Sequence, residues 1–361
     1  MKKWVMFVMA VMAVVIMAMV YKSCSMELED YLELAETFHE RGAYDRELFN
    51  LEKALERALK IYGPEALETA DIYRKIGLAS RDSDVIAESF GNAIAIYGLT
   101  GKKELAHLYY ERGMRLMELD RDYLVDQVCQ NLEAAAMLYE TYGYGCSDEL
   151  CQSYLALARL EEDGGERWAY LEKAGSHFWE ISKANSWELG NGIYRAMGTH
   201  CLNEGMYEEA FEIFNDMLIR AEDSSREDTR KVMAEAQYMS GAALALLYKG
   251  EEGIERIEEA MAYYEMLRGT GKSDRDGALA CSFLALAYGS ADPPSQEKVL
   301  AYGEKALLYY TVRDSLSSED EKEMEYIEEI LETAYDRAFP ERGEWDFYRW
   351  YRNYSQPKGE R

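Results

Sequence analysis

Two distant stretches of this chain carry the same pattern, and the repetition limits what the chain can fold into. Residues 40–55 read ERGAYDRELFNLEKAL and residues 203–218 read NEGMYEEAFEIFNDML. Each contains a Gly-x-Tyr followed by large apolar residues at matched helical offsets. These residues are Leu48, Leu51 and Leu55 in the first stretch, and Phe211, Phe214 and Leu218 in the second. The two tyrosines, Tyr44 and Tyr207, are 163 residues apart, which corresponds to four repeats of about 41 residues.

Amphipathic segments occupy the intermediate positions of this period. Residues 85–97, 123–138 and 168–178 have apolar residues at intervals of three, four and seven, as one face of a helix does. A second set of helical segments lies between them, and breaks rich in glycine or proline separate the two sets. The sequence therefore predicts an all-α fold, a superhelical solenoid of about seven antiparallel helix pairs over residues 26–313, because stacked pairs bury the apolar stripes that single pairs expose.

The last part of the chain, residues 314–361, differs in composition from the repeats. A further helix is predicted at 317–338, and six aromatic residues lie between Trp345 and Tyr354 among several arginines. We favour a C-terminal capping helix whose aromatic residues cover the last pair, since terminal repeats need such a cover. The alternative is an aromatic and cationic contact surface for a partner or a membrane.

The repeated units resemble a known family, the tetratricopeptide repeat (TPR). HERGAYDRELFNLEKALERALKIYGPEA and LNEGMYEEAFEIFNDMLIRAED are similar to its Gly-x-Tyr-x-x-Ala turn and second helix. Ala210 matches the small turn-facing position, whereas Glu47 departs from it. The spacing above 34 residues, and the segment ALKIYGPEALETADIYRKIG, resemble the longer kinesin-light-chain type. The resemblance covers residues 27–313 and implies a right-handed superhelix with a concave face that binds a protein or peptide.

The same resemblance implies which residues line that concave face. In the family's pattern the first helix of each pair faces the groove. The candidate groove residues are Tyr73, Tyr109, Tyr154, Tyr194 and Tyr238. The alternative for each is that its ring packs between neighbouring helices and only its hydroxyl reaches water.

Residues 1–24 form a signal or membrane anchor according to their composition. The segment from Trp4 to Val20 has no charge and no proline, and a helix continued through Tyr21 nearly spans a hydrocarbon core of about 30 Å. Lys2 and Lys3 precede it and acidic residues follow it, so the positive-inside rule places the repeat array outside the cytoplasm. A retained transmembrane anchor is favoured, because no Ala-x-Ala-like cleavage site follows.

Two other fates of this segment stay open. VYKSC resembles a bacterial lipobox, which would make Cys24 a lipidation site, although Tyr21 and Lys22 depart from that pattern. Cleavage and release is the other fate. The layout is typical of the bacterial cell envelope. Five cysteines after Cys24 fit an oxidising compartment poorly, so a cytoplasmic orientation of the array is not excluded.

The charge of the chain restricts its partners. The 361 residues contain 40 Lys and Arg against 68 Asp and Glu, which gives a net charge of -28. Nucleic acid is not expected as a partner, because phosphate binding needs clustered cations. The charge either keeps an exposed array soluble or attracts a basic protein or peptide.

The sequence offers little for catalysis, and we expect no enzyme, cofactor or metal site. It contains no phosphate-binding loop, dinucleotide fingerprint or paired Cys-x-x-Cys, and its histidines are scattered. His200 and Cys201 are neighbours, and side chains of neighbours on a helix point about 100° apart. If Ser147 caps a helix, Cys146 and Cys151 occupy positions that touch, so a local disulfide is geometrically allowed; packing as thiols is the alternative.

These observations favour a membrane-tethered, non-enzymatic scaffold that binds a protein or peptide along the concave face of the array. The alternative is a regulatory sensor, in which the same superhelix responds to a ligand or peptide with a change of shape.

Overall fold

The computed structural model describes residues 26–99, 102–142, 147–181, 187–224, 229–269, 275–311, 318–342 and 344–355. Within these ranges the chain is helical and has no strand, so the predicted all-α class is confirmed there. The helices are α1 (Leu28–Glu40), α2 (Tyr44–Ile61), α3 (Leu67–Ala79), α4 (Ser83–Tyr97), α5 (Lys102–Met117), α6 (Val125–Thr141), α7 (Asp148–Leu160), α8 (Gly164–Ile181), α9 (Trp187–Asn203), α10 (Tyr207–Glu222), α11 (Thr229–Leu246), α12 (Gly250–Gly269), α13 (Arg275–Ser290), α14 (Gln296–Thr311), α15 (Ser318–Ala338) and α16 (Glu344–Ser355).

The chain divides into two compact units. Unit 1 contains residues 1–162 and 176–184, and unit 2 contains residues 163–175 and 185–361. Helices that follow one another along the chain, such as α1 and α2 or α11 and α12, pack side by side. Because the connections at 41–43 and 204–206 are only three residues long, the helices that they join run antiparallel. Each unit is therefore a succession of helix hairpins.

The two matching stretches of sequence fold into the same turn. Gly42 has φ of 65° and Gly205 has φ of 75°, a left-handed conformation in which other residues are strained. The Ala43 amide donates to the Phe38 carbonyl at 2.9 Å, and the equivalent bond in the second stretch is 2.8 Å long. This bond closes the last turn of a helix in the Schellman pattern. The repeated Gly-x-Tyr thus marks a repeated helix end.

In four of the helix pairs, the first helix approaches the second at a glycine. The contacts are Gly77 with Phe90, Gly113 with Leu132, Gly198 with Phe214, and Gly241 with Ile257. A Cβ atom at any of these glycines would lie only 2.4 to 2.9 Å from the partner side chain, well inside normal carbon contact distances of about 3.5 to 4.0 Å. All four partner side chains are completely buried. The absence of a side chain at the glycine is what allows the large residue to pack there.

The aromatic tail packs on the last helices of unit 2. Phe347 of α16 is fully buried, and its ring centroid lies 5.6 Å from that of Tyr335 in α15. The Trp350 indole lies over Gly303 of α14, where a Cβ atom would come within 2.5 Å of the ring. Arg349 of the same helix is exposed. One face of α16 is therefore used for packing, and its charged face is left to solvent.

The anchor predicted at residues 1–24 lies outside the described residues. Among the helices of the described part, none has a stretch that is long and apolar enough to cross a bilayer. The count of seven pairs and the domain bounds 1–24, 26–313 and 314–361 extend over segments beyond the described ranges and stay predictions.

Candidate functional site

Unit 1 contains a pocket with a volume of about 450 Å³, lined by both polar and apolar groups. Its polar lining comes mainly from the first helices of three successive pairs. Helix α3 contributes Asp71 and Arg74, α5 contributes Lys103, Glu104 and His107, and Ser147 and Glu149 come from the start of α7. Tyr97 of α4 and Tyr139 of α6 add two aromatic rings. Carboxylates, cations and tyrosines thus converge on one concave surface.

A bidentate ion pair joins α3 to α5 at this pocket. Arg74 donates from Nε to Glu111 Oε2 and from a terminal nitrogen to Oε1, both at 2.5 Å. The Glu111 side chain is only 12% exposed. Burial acts to raise the pKa of Glu111, but the hydrogen bonds from Arg74 and His107 outweigh it and hold this pKa below its usual value. Two nitrogens of the Arg74 guanidinium therefore already donate hydrogen bonds to the two oxygens of Glu111.

His107 lies one helical turn before Glu111 on α5. Its Nε2 is 3.2 Å from Glu111 Oε1, so Arg74 and His107 share one carboxylate. The hydrogen bond to Glu111 raises the pKa of His107, and the negative charge of Glu149 adds to the effect. The imidazole is 40% exposed and lines the pocket, so a protonated His107 is in contact with solvent.

Two tyrosines of second helices complete the lining. The Tyr97 hydroxyl donates to Asp71 Oδ1 at 2.6 Å. Burial and this bond raise the pKa of Tyr97 to about 12. Burial also raises the pKa of Tyr139, with the charge of Glu149 as the next cause. Both hydroxyls therefore stay protonated at neutral pH and can act as hydrogen-bond donors.

The start of α7 brings a carboxylate to the pocket. Ser147 is the N-cap residue, and its hydroxyl accepts from the Leu150 amide at 3.2 Å. Glu149 lies in the first helical turn and is half-buried. Burial raises the pKa of Tyr110 to about 12, and the largest electrostatic cause is again Glu149. The charge of Glu149 thus acts on several groups around the cavity.

Sequence reasoning missed Arg74, His107, Glu111 and Glu149. A signal existed, because Arg74 directly follows the candidate Tyr73 and Glu111 comes 37 residues later, close to one repeat. Unit 2 contains a similar pair, in which Arg195 follows Tyr194 and binds the 7% exposed Glu235 with two hydrogen bonds, one of them 2.5 Å long. A tyrosine-arginine step with a glutamate about one repeat later therefore marks an ion pair between successive first helices.

The candidate groove tyrosines differ in exposure. Tyr73 and Tyr109 in unit 1 are half-buried, whereas Tyr154 is 4% exposed. The Tyr154 hydroxyl donates to Glu140 at 2.6 Å, and its ring stacks on His177.

In unit 2, Tyr194 is 8% exposed and Tyr238 is 3% exposed. Tyr238 contacts the rings of Tyr264 and Phe283. The role of the five tyrosines in a groove stays a prediction, and in this conformation Tyr73 and Tyr109 are the more accessible ones.

The predicted sulfur sites fall mostly outside the described residues. Cys24 and Cys146 both lie there. Cys151 is completely buried at the fourth residue of α7, the helix that Ser147 caps as expected. A Cys146–Cys151 disulfide and lipidation of Cys24 stay predictions.

His200 and Cys201 are placed where catalysis is unfavourable. Cys201 is completely buried, and burial raises the pKa of its thiol to about 11, so the reactive thiolate is scarce at neutral pH. His200 is also buried, stacks on Trp168 with centroids 5.5 Å apart, and has its pKa lowered by burial. In the part of the chain that the structure describes, no three His, Cys, Asp or Glu residues are grouped to hold a metal ion.

Comparisons with known proteins find weak structural likeness. No protein-family model matches the sequence, and no curated protein matches it. A circular tandem repeat protein with novel repeat topology and enhanced subunit contact surfaces aligns with 91% of this chain and 81% of its own, at 15% identity and a TM-score of 0.20. The APC/C hetero-tetramer Cut9-Hcn1 aligns with 89% and 74%, at 14% identity and a TM-score of 0.21. These TM-scores are too low for a shared global arrangement.

His200 and His107 should give opposite pH dependences of stability. The pKa of His200 is lowered, so below about pH 6.5 the unfolded chain binds a proton that the folded chain refuses, and the free energy of unfolding falls. The pKa of His107 is raised, so its stabilisation is complete below about pH 6.5 and is lost as pH rises through the folded-state pKa.

Substitutions should separate these two effects. Relative to the unsubstituted protein, His200→Phe, which keeps a ring on Trp168, should gain stability when the pH is lowered from about 8 to about 5.5. His107→Gln should instead lose stability over the same change. Urea titrations followed by circular dichroism at both pH values measure this. If either substitution changes the free energy of unfolding by the same amount at both pH values, the pKa shift assigned to that histidine is wrong.

Proposed function

We propose that this protein is a non-enzymatic interaction scaffold built from TPR-like helix pairs, and that the pocket of unit 1 binds a segment of a protein partner. The observation that carries the proposal is the cavity of about 450 Å³ lined by three successive first helices. Cavities of about 300 to 1,000 Å³ enclose small ligands, so a cavity of this size has room for a side chain of a bound peptide.

The pairing of groups in the pocket supports binding over chemistry. Arg74 is matched by Glu111, and Asp71 accepts from Tyr97. The tyrosine pKa values are raised, so these hydroxyls are not poised as nucleophiles or bases. Polar groups that are held in place by each other suit recognition of a ligand, because little ordering is needed on binding.

The TPR-like character is clearest in the pair formed by α9 and α10. Ala210 and Phe214 follow Gly198 by 12 and 16 residues, and both are completely buried. In the first pair, Glu47 stands at the position of Ala210; it is buried, and its Oε1 lies 3.0 Å from His39 Nδ1. The period of about 41 residues favours the longer, kinesin-light-chain-like type of repeat.

We also propose that residues 1–24 tether the protein to a membrane with the repeats outside the cytoplasm. The uncharged run from Trp4 to Val20 and the lysines before it support this topology. In this setting the partner is an envelope protein or a secreted peptide, and a basic one suits the net charge of -28.

Site-specific photocrosslinking in the producing cells tests the scaffold function. p-Benzoylphenylalanine at Lys103, which is exposed at the pocket, should capture a discrete protein partner. The same group at Glu88, which is exposed on α4 and does not line the pocket, serves as the matched control. The yield of crosslinked adduct should be at least about tenfold higher at position 103 than at position 88, because the partner is in tight contact only within the pocket.

Equal labelling at both positions, or no adduct at either, would contradict a binding role for the pocket. The sensor alternative adds a change of shape to the same binding event. If the radius of gyration of the repeat array itself decreases when the captured partner is added, the sensor is favoured. An unchanged radius of the array favours the scaffold.

Thiol labelling of intact cells tests the topology. Tyr123→Cys places a thiol at a position that is 71% exposed, whereas the native Cys151 and Cys201 are completely buried. A membrane-impermeant maleimide should label this thiol to about the same extent in intact cells and after lysis, because no bilayer separates the repeats from the reagent. Labelling that appears only after lysis would place the repeats in the cytoplasm. The unsubstituted protein reports the background.

A further inference from the structure

The charges that line the unit 1 pocket do not cancel. Arg74 is matched by Glu111 through two hydrogen bonds, and His107 shares the same carboxylate. The carboxylates of Asp71, Glu104 and Glu149 also line the cavity, and the remaining lysine of the lining is Lys103. With Glu111 included, four carboxylates face three cations even when His107 is protonated, so the pocket keeps an excess of negative charge.

The surrounding groups respond to that negative charge. The pKa of His107 is raised, first by its hydrogen bond to Glu111 and also by Glu149. Beyond the effect of burial, Glu149 also raises the pKa of Tyr110 and Tyr139. His107 of α5 and Tyr139 of α6 line the cavity together with Glu149 of α7, so the groups that respond to this charge lie on more than one helix.

An anionic ligand would be poorly accommodated in this cavity. An anion would find the guanidinium of Arg74 already bound bidentately by a carboxylate that is 12% exposed, so much of the positive charge of Arg74 is compensated. It would also approach Glu149 and Asp71 with a like charge. A cation meets carboxylates in the same places, and two aromatic residues, Tyr97 and Tyr139, also line the cavity.

We propose that this pocket takes the cationic side chain of an arginine or lysine, presented by an extended segment of the protein partner. The charged end contacts the carboxylates of Glu149 and Asp71, and the methylene stem lies against the tyrosine rings. The inference rests on the proposed function and names the chemistry that the pocket selects. The cavity of about 450 Å³ holds a long side chain and leaves the rest of the segment outside.

Blocked amino acids test the selectivity. The full chain, kept in a non-ionic detergent, is titrated with N-acetyl-L-arginine amide, N-acetyl-L-lysine amide and the neutral isostere N-acetyl-L-citrulline amide, and binding is followed by calorimetry. At least one of the cationic probes should bind with a Kd of about 1 mM, and citrulline should bind at least about tenfold more weakly. Binding should also weaken several-fold when salt is raised from about 0.05 to about 0.5 M.

Two variants with the same change in net charge locate the site. Glu149→Gln removes a pocket carboxylate and should weaken binding of the cationic probe at least about fivefold. Glu88→Gln removes an exposed carboxylate of α4 that does not line the pocket, and should leave the Kd within about twofold. Glu104→Gln, at the exposed edge of the pocket, replaces Glu149→Gln if the latter loses its helical circular dichroism signal.

Equal affinity for citrulline and the cationic probes, or equal effects of the pocket and α4 substitutions, would overturn the proposal. If that happens while the crosslink at position 103 is still formed, the ligand class is wrong and the scaffold function stands. If the crosslink also fails, the scaffold function falls with it.

Discussion

The close contact between a glycine of one helix and a large apolar residue of the next determines how the helix pairs are built. At Gly77 and Gly198 the partner ring occupies the space that a side chain would need. The partner rings, Phe90 and Phe214, are completely buried, so the contact contributes to the core as well as to the geometry. Such an interface is sensitive to a single methyl group, because the buried ring has little room to move.

The pocket depends on this geometry. Once α3 and α5 each pack against their own second helix, their polar sides are close enough for Arg74 to bind Glu111. The pair also satisfies a carboxylate that would be costly to bury alone. Arg195 and Glu235 do the same in unit 2. In unit 1, Arg74 of this ion pair also lines the pocket, so the contact that joins successive first helices and the proposed binding site share a residue.

The sequence was sufficient for the features that depend on local chemistry. The pattern at Gly42 and Gly205 resembled a repeat turn in the sequence, and both glycines end a helix in a left-handed conformation that glycine adopts without strain. The pocket could not be predicted in the same way. Arg74 and Glu111 are 37 residues apart, and their meeting depends on the rotation of two helices, which no single segment encodes. The burial of Tyr154, compared with the half-buried Tyr73, likewise depends on neighbouring helices.

A double-mutant cycle at Gly77 and Phe90 tests the central contact most directly, with urea unfolding as the measurement. Gly77→Ala should lower the free energy of unfolding by about 1 to 3 kcal/mol. Gly91→Ala, in the middle of α4 with open space around the new methyl group, should raise it by up to about 1 kcal/mol. Phe90→Leu should lower the free energy of unfolding by at least about 1 kcal/mol less in the Gly77→Ala variant than in the unsubstituted protein, because the smaller side chain makes room for the methyl group. Additive effects, or a Gly77→Ala variant as stable as Gly91→Ala, would contradict the account.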